Sequence, residues 1–379
     1  MKITHMDMKD LGARIARARD LAGQSQVALG DSVGLDRSAI SRLEQGERKL
    51  SVPELVLIAQ ALGRPLSFFV AAPVPAVVSR RRDSEHAHDT NGLLDEELRS
   101  FSSDVHGLLG IGVLSGLDRD TISFRVPRTH QEAEQSATRV RSRAGLTIEP
   151  IEDVGRFCES LGLVTFSASL TEVGPDGGCV EAGEDCNRVG VAVINGDARS
   201  GRRRMTLAHE LGHWLTGDAY DHEASSDSER MLNSFAIHLL APRGGIGRAW
   251  DEYSSWTTRE RAIAVSTRFR LSWSATVGQL RSLGHVSREE HALLSQNVPT
   301  AGEFARLDLA ITPAISAELA APYLSPGFVA RVLGAYTVGD LTAARTLELL
   351  RGTLRVDDLP PMEPGRPEDL RHAFAGHGG

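Results

Sequence analysis

The stretch "TLAHELGHWLTGD", Thr206–Asp218, constrains this chain more than any other. On an α-helix, residues four apart share one face, so His209 and His213 can point at a single metal ion. Glu210 sits about 100° round from His209, within reach of water at that ion. Two neutral imidazoles and a carboxylate hold Zn²⁺ and leave one position open. The metal then acidifies its water, and Glu210 is the group that takes the proton. Short H-E-x-x-H matches also occur by chance in helices that bind no metal, so the surroundings have to decide.

Those surroundings supply a third ligand. "GVAVIN", ending at Asn195, reads as a strand ahead of the helix, and "SERMLNSFAIHLLAP" reads as a helix after it, stopped by Pro242. Glu229 on that second helix is the favoured ligand, with Asn233 one turn on to support a ligand by a hydrogen bond. Leu232, Phe235, Ala236, Leu239 and Leu240 fall on its core side. His222 and Glu223, in the loop between the helices, are the alternatives. A metzincin needs Gly at 216 and His at 219; Thr216 and Ala219 exclude that class. His238 reads as structural.

The other end of the chain has a different character. Five short helices are marked by their stops and caps: "DLGARIARARDLAG", "SQVALGDSVG" from a Ser25 cap, "DRSAISRLEQG" from an Asp36 cap, "SVPELVLIAQALG" from a Ser51 cap, and "PLSFFV". Gly34 breaks the chain between the second and third. Ala28, Leu29, Val33, Ile40 and Leu43 form the apolar set expected to lock that pair in helix-turn-helix geometry. The third helix then exposes Arg37, Ser38, Ser41 and Arg42 on one face, where arginine can read guanine edges. Arg14, Arg17, Arg48 and Lys49 are candidates for phosphate contacts, and Gln26 for a base or a phosphate. Gly30, inside the second helix, is expected to loosen it by up to ~1 kcal/mol.

Bulk properties bound these readings. At 379 residues, two or three domains are expected. No apolar run reaches membrane-spanning length and no signal peptide opens the chain, so the expected compartment is the cytoplasm, with no membrane partner. Three cysteines, Cys158, Cys179 and Cys186, argue against a disulfide framework. The net charge of −8 hides a local +2 over residues 1–72, so any DNA is expected to bind there.

Between the ends, residues 73–130 read as a linker (with "SRRR" at 79–82 a solvated patch) and a helix near Leu93–Leu109. Mixed α/β patterning follows. "HQEAEQSATRVRSRAG" and "PIEDVGRFCESLG" look helical, and "LVTFSAS" and "RVGVAVING" look like strands. The glycine-rich "GPDGGCVEAGED" suits a turn or a strand edge, where a substrate peptide could add beside "CVEA". Cys179 in it reads as a half-buried thiol, or alternatively as a thiolate that closes the metal's open position. Ser200 is expected to cap the H-E-x-x-H helix. "TTRERAIAVSTRFR" and "SWSATVGQLRSLG" add two helices, and residues 291–379 read as a largely helical tail of unknown role.

Two resemblances sharpen this picture. "SQVALGDSVGLDRSAISRLEQGERKLSVPELVLIAQALG" closely resembles the XRE/Cro-type helix-turn-helix family. "RRRMTLAHELGHWLTG" with "SERMLNSFAIHLLAP" looks like the ImmA/IrrE family of metallopeptidases over residues 131–290, departing from it at Leu232, where that family usually has Ala. They imply a multidomain chain: an all-α five-helix DNA-binding domain over 1–72, an α+β zincin-like domain over 131–290, and a helical C-terminal region. The second resemblance implies a gluzincin-like zinc endopeptidase, with His209, His213 and Glu229 as ligands and Glu210 as catalytic base. Its partners would be a double-stranded DNA operator and a protein substrate, a repressor in a stress, mobile-element or defence circuit, with a homodimer as an option. The rival expectation is a transcription factor whose peptidase-like domain senses a signal and cleaves nothing.

Overall fold

The computed structural model describes residues 8–62, 64, 66–70, 88–116, 123–171, 174–184, 187–217, 226–309 and 313–362. The chain divides into two compact units, 1–76 and 77–379.

The first unit is helical: α1 Met8–Leu21, α2 Gln26–Val33, α3 Arg37–Glu44, α4 Val52–Ala61 and α5 Leu66–Val70. Its helix starts follow from side-chain caps. Ser25 accepts from Ala28 N, Asp36 from Ala39 N, and Ser51 forms a capping box with Glu54. Ile15, Leu29, Ile40, Leu43, Ile58 and Phe69 are fully buried and form the core. Ala28, expected in that core, is exposed, and Ala39 is buried instead. The expectation for Gly30 is reversed. A Cβ there would lie 2.4 Å from the Leu35 carbonyl oxygen, so the glycine lets α2 meet the turn into α3.

The second unit is built on a four-stranded sheet of order β2-β3-β1-β4, with β1 Leu163–Ala168, β2 Gly177–Glu184, β3 Asn187–Asn195 and β4 Tyr323–Leu324. β1 runs parallel to β3 (Val164 opposite Val191); β2 is antiparallel to β3 (Cys179 opposite Ala192); β4 is antiparallel to β1 (Phe166 opposite Leu324). All of β1 is buried, Thr165 and Ser167 included, as a strand covered on both faces is. Helices α6 His88–Gly110, α7 His130–Arg143 and α8 Val154–Ser160 precede β1. Then follow α9 Ser200–Thr216, α10 Ser226–Leu240, α11 Arg243–Glu252, α12 Thr258–Phe269, α13 Trp273–Ser282, α14 Arg288–Gln296, α15 Ala301–Arg306, α16 Pro313–Ala317, α17 Pro326–Thr337 and α18 Ala343–Leu349. Leu163, Cys179, Ala192 and Ile194 share a core with Leu207, Leu211 and Trp214 of α9. On the other face of the sheet, Phe166 meets Phe101 of α6 at 5.7 Å between ring centres.

Several expectations change. The glycine-rich stretch is itself a strand, β2, and the glycine-laden α11 was not foreseen. Arg199, not Ser200, occupies the N-cap of α9 and makes no side-chain cap bond; Ser200 Oγ instead donates to Ile315 O at 3.2 Å. The tail is not only helical. It supplies β4 to the sheet and a clamp on α9. Arg203 Nε donates to Glu318 O at 2.9 Å, and Arg204 Nη1 reaches both Glu318 carboxylate oxygens at 2.6 and 2.7 Å. Arg204 is fully buried, and Glu318 is its counter-charge.

Candidate metal centre

α9 and α10 cross at Gly212, where α9 can hold no bulk. A Cβ on Gly212 would come within 3.1 Å of Phe235 and 3.2 Å of Leu232. Leu232 therefore fills the space that Gly212 leaves, and the departure at this position is a packing match. The crossing brings Glu229 to the histidines. Its carboxylate oxygens lie 3.2 Å from His209 Nε2 and 3.3 Å from His213 Nε2, and the two Nε2 atoms are 3.0 Å apart. An ion held tetrahedrally by bonds of about 2.1 Å separates its ligand atoms by roughly 3.4 Å. Among the described residues this is the group of three His, Cys, Asp or Glu side chains close enough to hold one ion. The donor set, two imidazoles and a carboxylate, suits zinc.

Glu210 stands beside this trio and is 2% exposed, with Oε2 lacking a hydrogen-bond partner. Burial pushes its carboxyl up to about 7, although the His213 charge and a Cys179 hydrogen bond pull the other way. For Glu229, burial also acts upward. Hydrogen bonds from His209 and His213, with their charge, outweigh it and hold the carboxyl well below the usual range. Two neighbouring glutamates are thus shifted in opposite directions, Glu210 upward by burial and Glu229 downward by the imidazoles it meets.

Other expected residues fall differently. Asn233 lines an open cleft; among the described residues it makes no hydrogen bond to His209, His213 or Glu229, and its Oδ1 is buried and unpaired. Cys179 is fully buried rather than half-buried, and its Sγ donates to the Glu210 carbonyl at 3.6 Å. His222, Glu223, Cys186 and the "SRRR" patch lie outside the described residues. The open cleft, of about 1240 Å³, was not foreseen; Asp176, Arg202, Met205, Asn233, His238 and Gln279 are among its walls. It assembles from five separate stretches of chain, which leaves no local sequence signal.

In the first unit, Arg37, Ser38 and Arg42 are exposed on α3 and Ser41 is half-buried between them. Ser38 Oγ donates to the Asp36 cap at 2.7 Å. Lys49 is exposed, whereas Arg48 is held by Glu54 at 2.6 Å. Gln26 Nε2 donates to Glu44 at 2.7 Å, the carboxylate that also binds Arg19. Of the expected DNA contacts, Arg48 and Gln26 are therefore engaged inside the fold.

Comparison with known proteins adds to this geometry. Residues 15–69 match a family model described as helix-turn-helix, and residues 158–280 match one described as an IrrE N-terminal-like domain. The chain joins a helix-turn-helix segment to an ImmA/IrrE-type, metallopeptidase-like domain. Two relatives are uncharacterized HTH-type transcriptional regulators, from Sinorhizobium medicae (strain WSM419) and Rhizobium meliloti (strain 1021). Each is 37% identical over 59 residues, 16% of this chain and 42% of the relative's length. The match thus spans less than half of each relative and says nothing of their remaining length. No solved structure matches. Among the described residues no helix is long and apolar enough to cross a membrane. The expected homodimer finds no support in the structure or the comparisons.

Proposed function

We propose that this protein is a DNA-binding regulator with zinc-dependent endopeptidase activity, directed at a transcriptional repressor. The observation that carries the reading is Glu210, buried with its Oε2 unpaired next to His209, His213 and Glu229. A zinc ion, when bound, supplies a Lewis acid that polarises a peptide carbonyl and acidifies water. The remaining work falls to the chain. His209, His213 and Glu229 would hold the ion. Glu210 Oε2 accepts a proton from water and passes it to the amine that leaves the peptide. Burial serves this directly, since a carboxyl poised near neutral pH can both take and give a proton. β2 is the edge of the sheet among the described strands and pairs only with β3, so a substrate backbone can add along it. The α3 face with Arg37 and Arg42 brings the enzyme to an operator.

The rival, a sensor that cleaves nothing, needs the metal trio but not Glu210. In cells, repression at the target promoter separates the two. Under this proposal a Glu210→Gln strain fails to derepress and its repressor stays full length, as in a His209→Ala strain. Derepression of the Glu210→Gln strain to the wild-type level would establish the sensor instead.

A further inference from the structure

β2 lies along α9 in step with it. A Cβ on Gly177 would come within 2.8 Å of Thr206 Cγ2, so the strand approaches the helix this closely because the residue is glycine. Two residues along β2 stands Cys179, and one turn along α9 stands Glu210. Two strand residues advance about 6.7 Å and four helix residues about 6 Å, so elements that meet at Gly177 and Thr206 meet again at Cys179 and Glu210. There the thiol lies between two acceptors of one residue. Cys179 Sγ is 3.6 Å from the Glu210 carbonyl oxygen, and the Glu210 carboxyl also takes a hydrogen bond from Cys179. The two residues are only 1 and 2% exposed, and a hydrogen bond shielded from water in this way is strengthened.

The thiol serves the glutamate rather than the metal. Among the described residues, the side chains close enough to share one ion are His209, His213 and Glu229, without Cys179. A thiol is a weak donor. It can set the direction of a carboxyl without binding it as an arginine or lysine would. Glu210 Oε2 is left without a partner. The backbone that carries the thiol is itself fixed, since Cys179 pairs with Ala192 of β3. On its other side β2 is the edge of the sheet among the described strands, where a substrate backbone can add. Cys179 thus links the buried carboxyl to the strand along which a peptide would lie.

We propose that Cys179 is a positioning residue for Glu210, its thiol holding the buried carboxyl in a fixed direction relative to a peptide on β2. The catalytic consequence rests on the peptidase reading above; the tether itself does not.

Two measurements on the full chain test it. The first needs no activity. The S–H stretching band of Cys179 is followed by infrared spectroscopy in the wild type and in Glu210→Ala. Its loss in Cys179→Ala identifies the band, or its loss in Cys179→Ser if the alanine variant does not fold. Removing the carboxyl should shift the band, because only the carbonyl acceptor remains. The second is cleavage, at equal zinc content, of one fluorogenic peptide selected from a random library by the wild type. Cys179→Ala should lower kcat by about 3- to 10-fold, the scale of one net hydrogen bond, and leave KM unchanged. Cys179→Ser keeps a donor and should be faster than Cys179→Ala, whereas packing alone would favour alanine in this apolar core. An unmoved band, a serine variant no faster than the alanine variant, or a change in KM alone would overturn the positioning role. A moved band without cleavage by the zinc-loaded wild type removes the peptidase reading and keeps the tether. Cleavage with an unmoved band does the reverse.

Discussion

Glu229 sets its carboxylate 3.2 and 3.3 Å from two imidazole nitrogens, and on that geometry we propose it as the third ligand. Glu229→Ala should strip most of the zinc, measured by elemental analysis of the purified protein, whereas His222→Ala should keep it near normal. The reverse pattern would move the ligand to the loop. A second residue-scale prediction concerns pH. Arg48 and the Ser51 cap hold the Glu54 carboxyl at about 2, against an ordinary value of 4.5. Because the folded value is the lower one, this stabilisation is complete above pH 4.5 and fades as the pH falls toward 2. Thermal unfolding followed through α3 and α4 should therefore lose stability across that window, and Glu54→Gln should flatten the loss. At this scale the sequence spoke clearly wherever chemistry is local. The H-E-x-x-H spacing and the Ser25, Asp36 and Ser51 caps were legible because each depends on residues a turn apart. Gly30 was misread because the carbonyl it must avoid, that of Leu35, belongs to the next turn of chain.

Elements show what a linear reading loses. Caps and apolar periods mark the helices of the first unit, and apolar periods mark α9 and α10, whose Ser200 cap fails. β2 was left open between a turn and a strand edge because its glycines carry no alternation, and its partner β3 is what makes it a strand. α11 was hidden by Gly244, Gly245 and Gly247. The deepest gap is the tail. Glu318 neutralises Arg204, which is more than 100 residues away, and no local pattern announces such a pairing. This pairing gives a prediction at the scale of α9. Glu318→Ala leaves a fully buried guanidinium without its counter-charge, a change that costs about 3–5 kcal/mol. Denaturant unfolding of the full chain measures it. A cost below ~1 kcal/mol would show that the clamp is dispensable, as exposed ion pairs are.

At the scale of the whole molecule, the proposed function joins two activities on one chain. The DNA head is tested by titrating the full protein against operator and random duplexes at several salt concentrations. Arg37→Ala should cost about 1–3 kcal/mol at the operator alone, while Lys49→Ala should weaken every sequence alike and lower the salt slope by about one. Absence of salt-dependent binding would make the first unit a protein-contact module. The central claim is the peptidase, and the rate of peptide-bond cleavage at equal zinc content tests it most directly. Wild type and Glu210→Gln, each loaded to the same zinc stoichiometry, are incubated with one random peptide mixture, and new termini are counted by mass spectrometry over time. Cleavage by the wild type is expected, with a loss of about 10²–10⁴-fold in the variant, because only the proton carrier has changed. Equal rates for the two proteins, or no new termini from the zinc-loaded wild type, would contradict it.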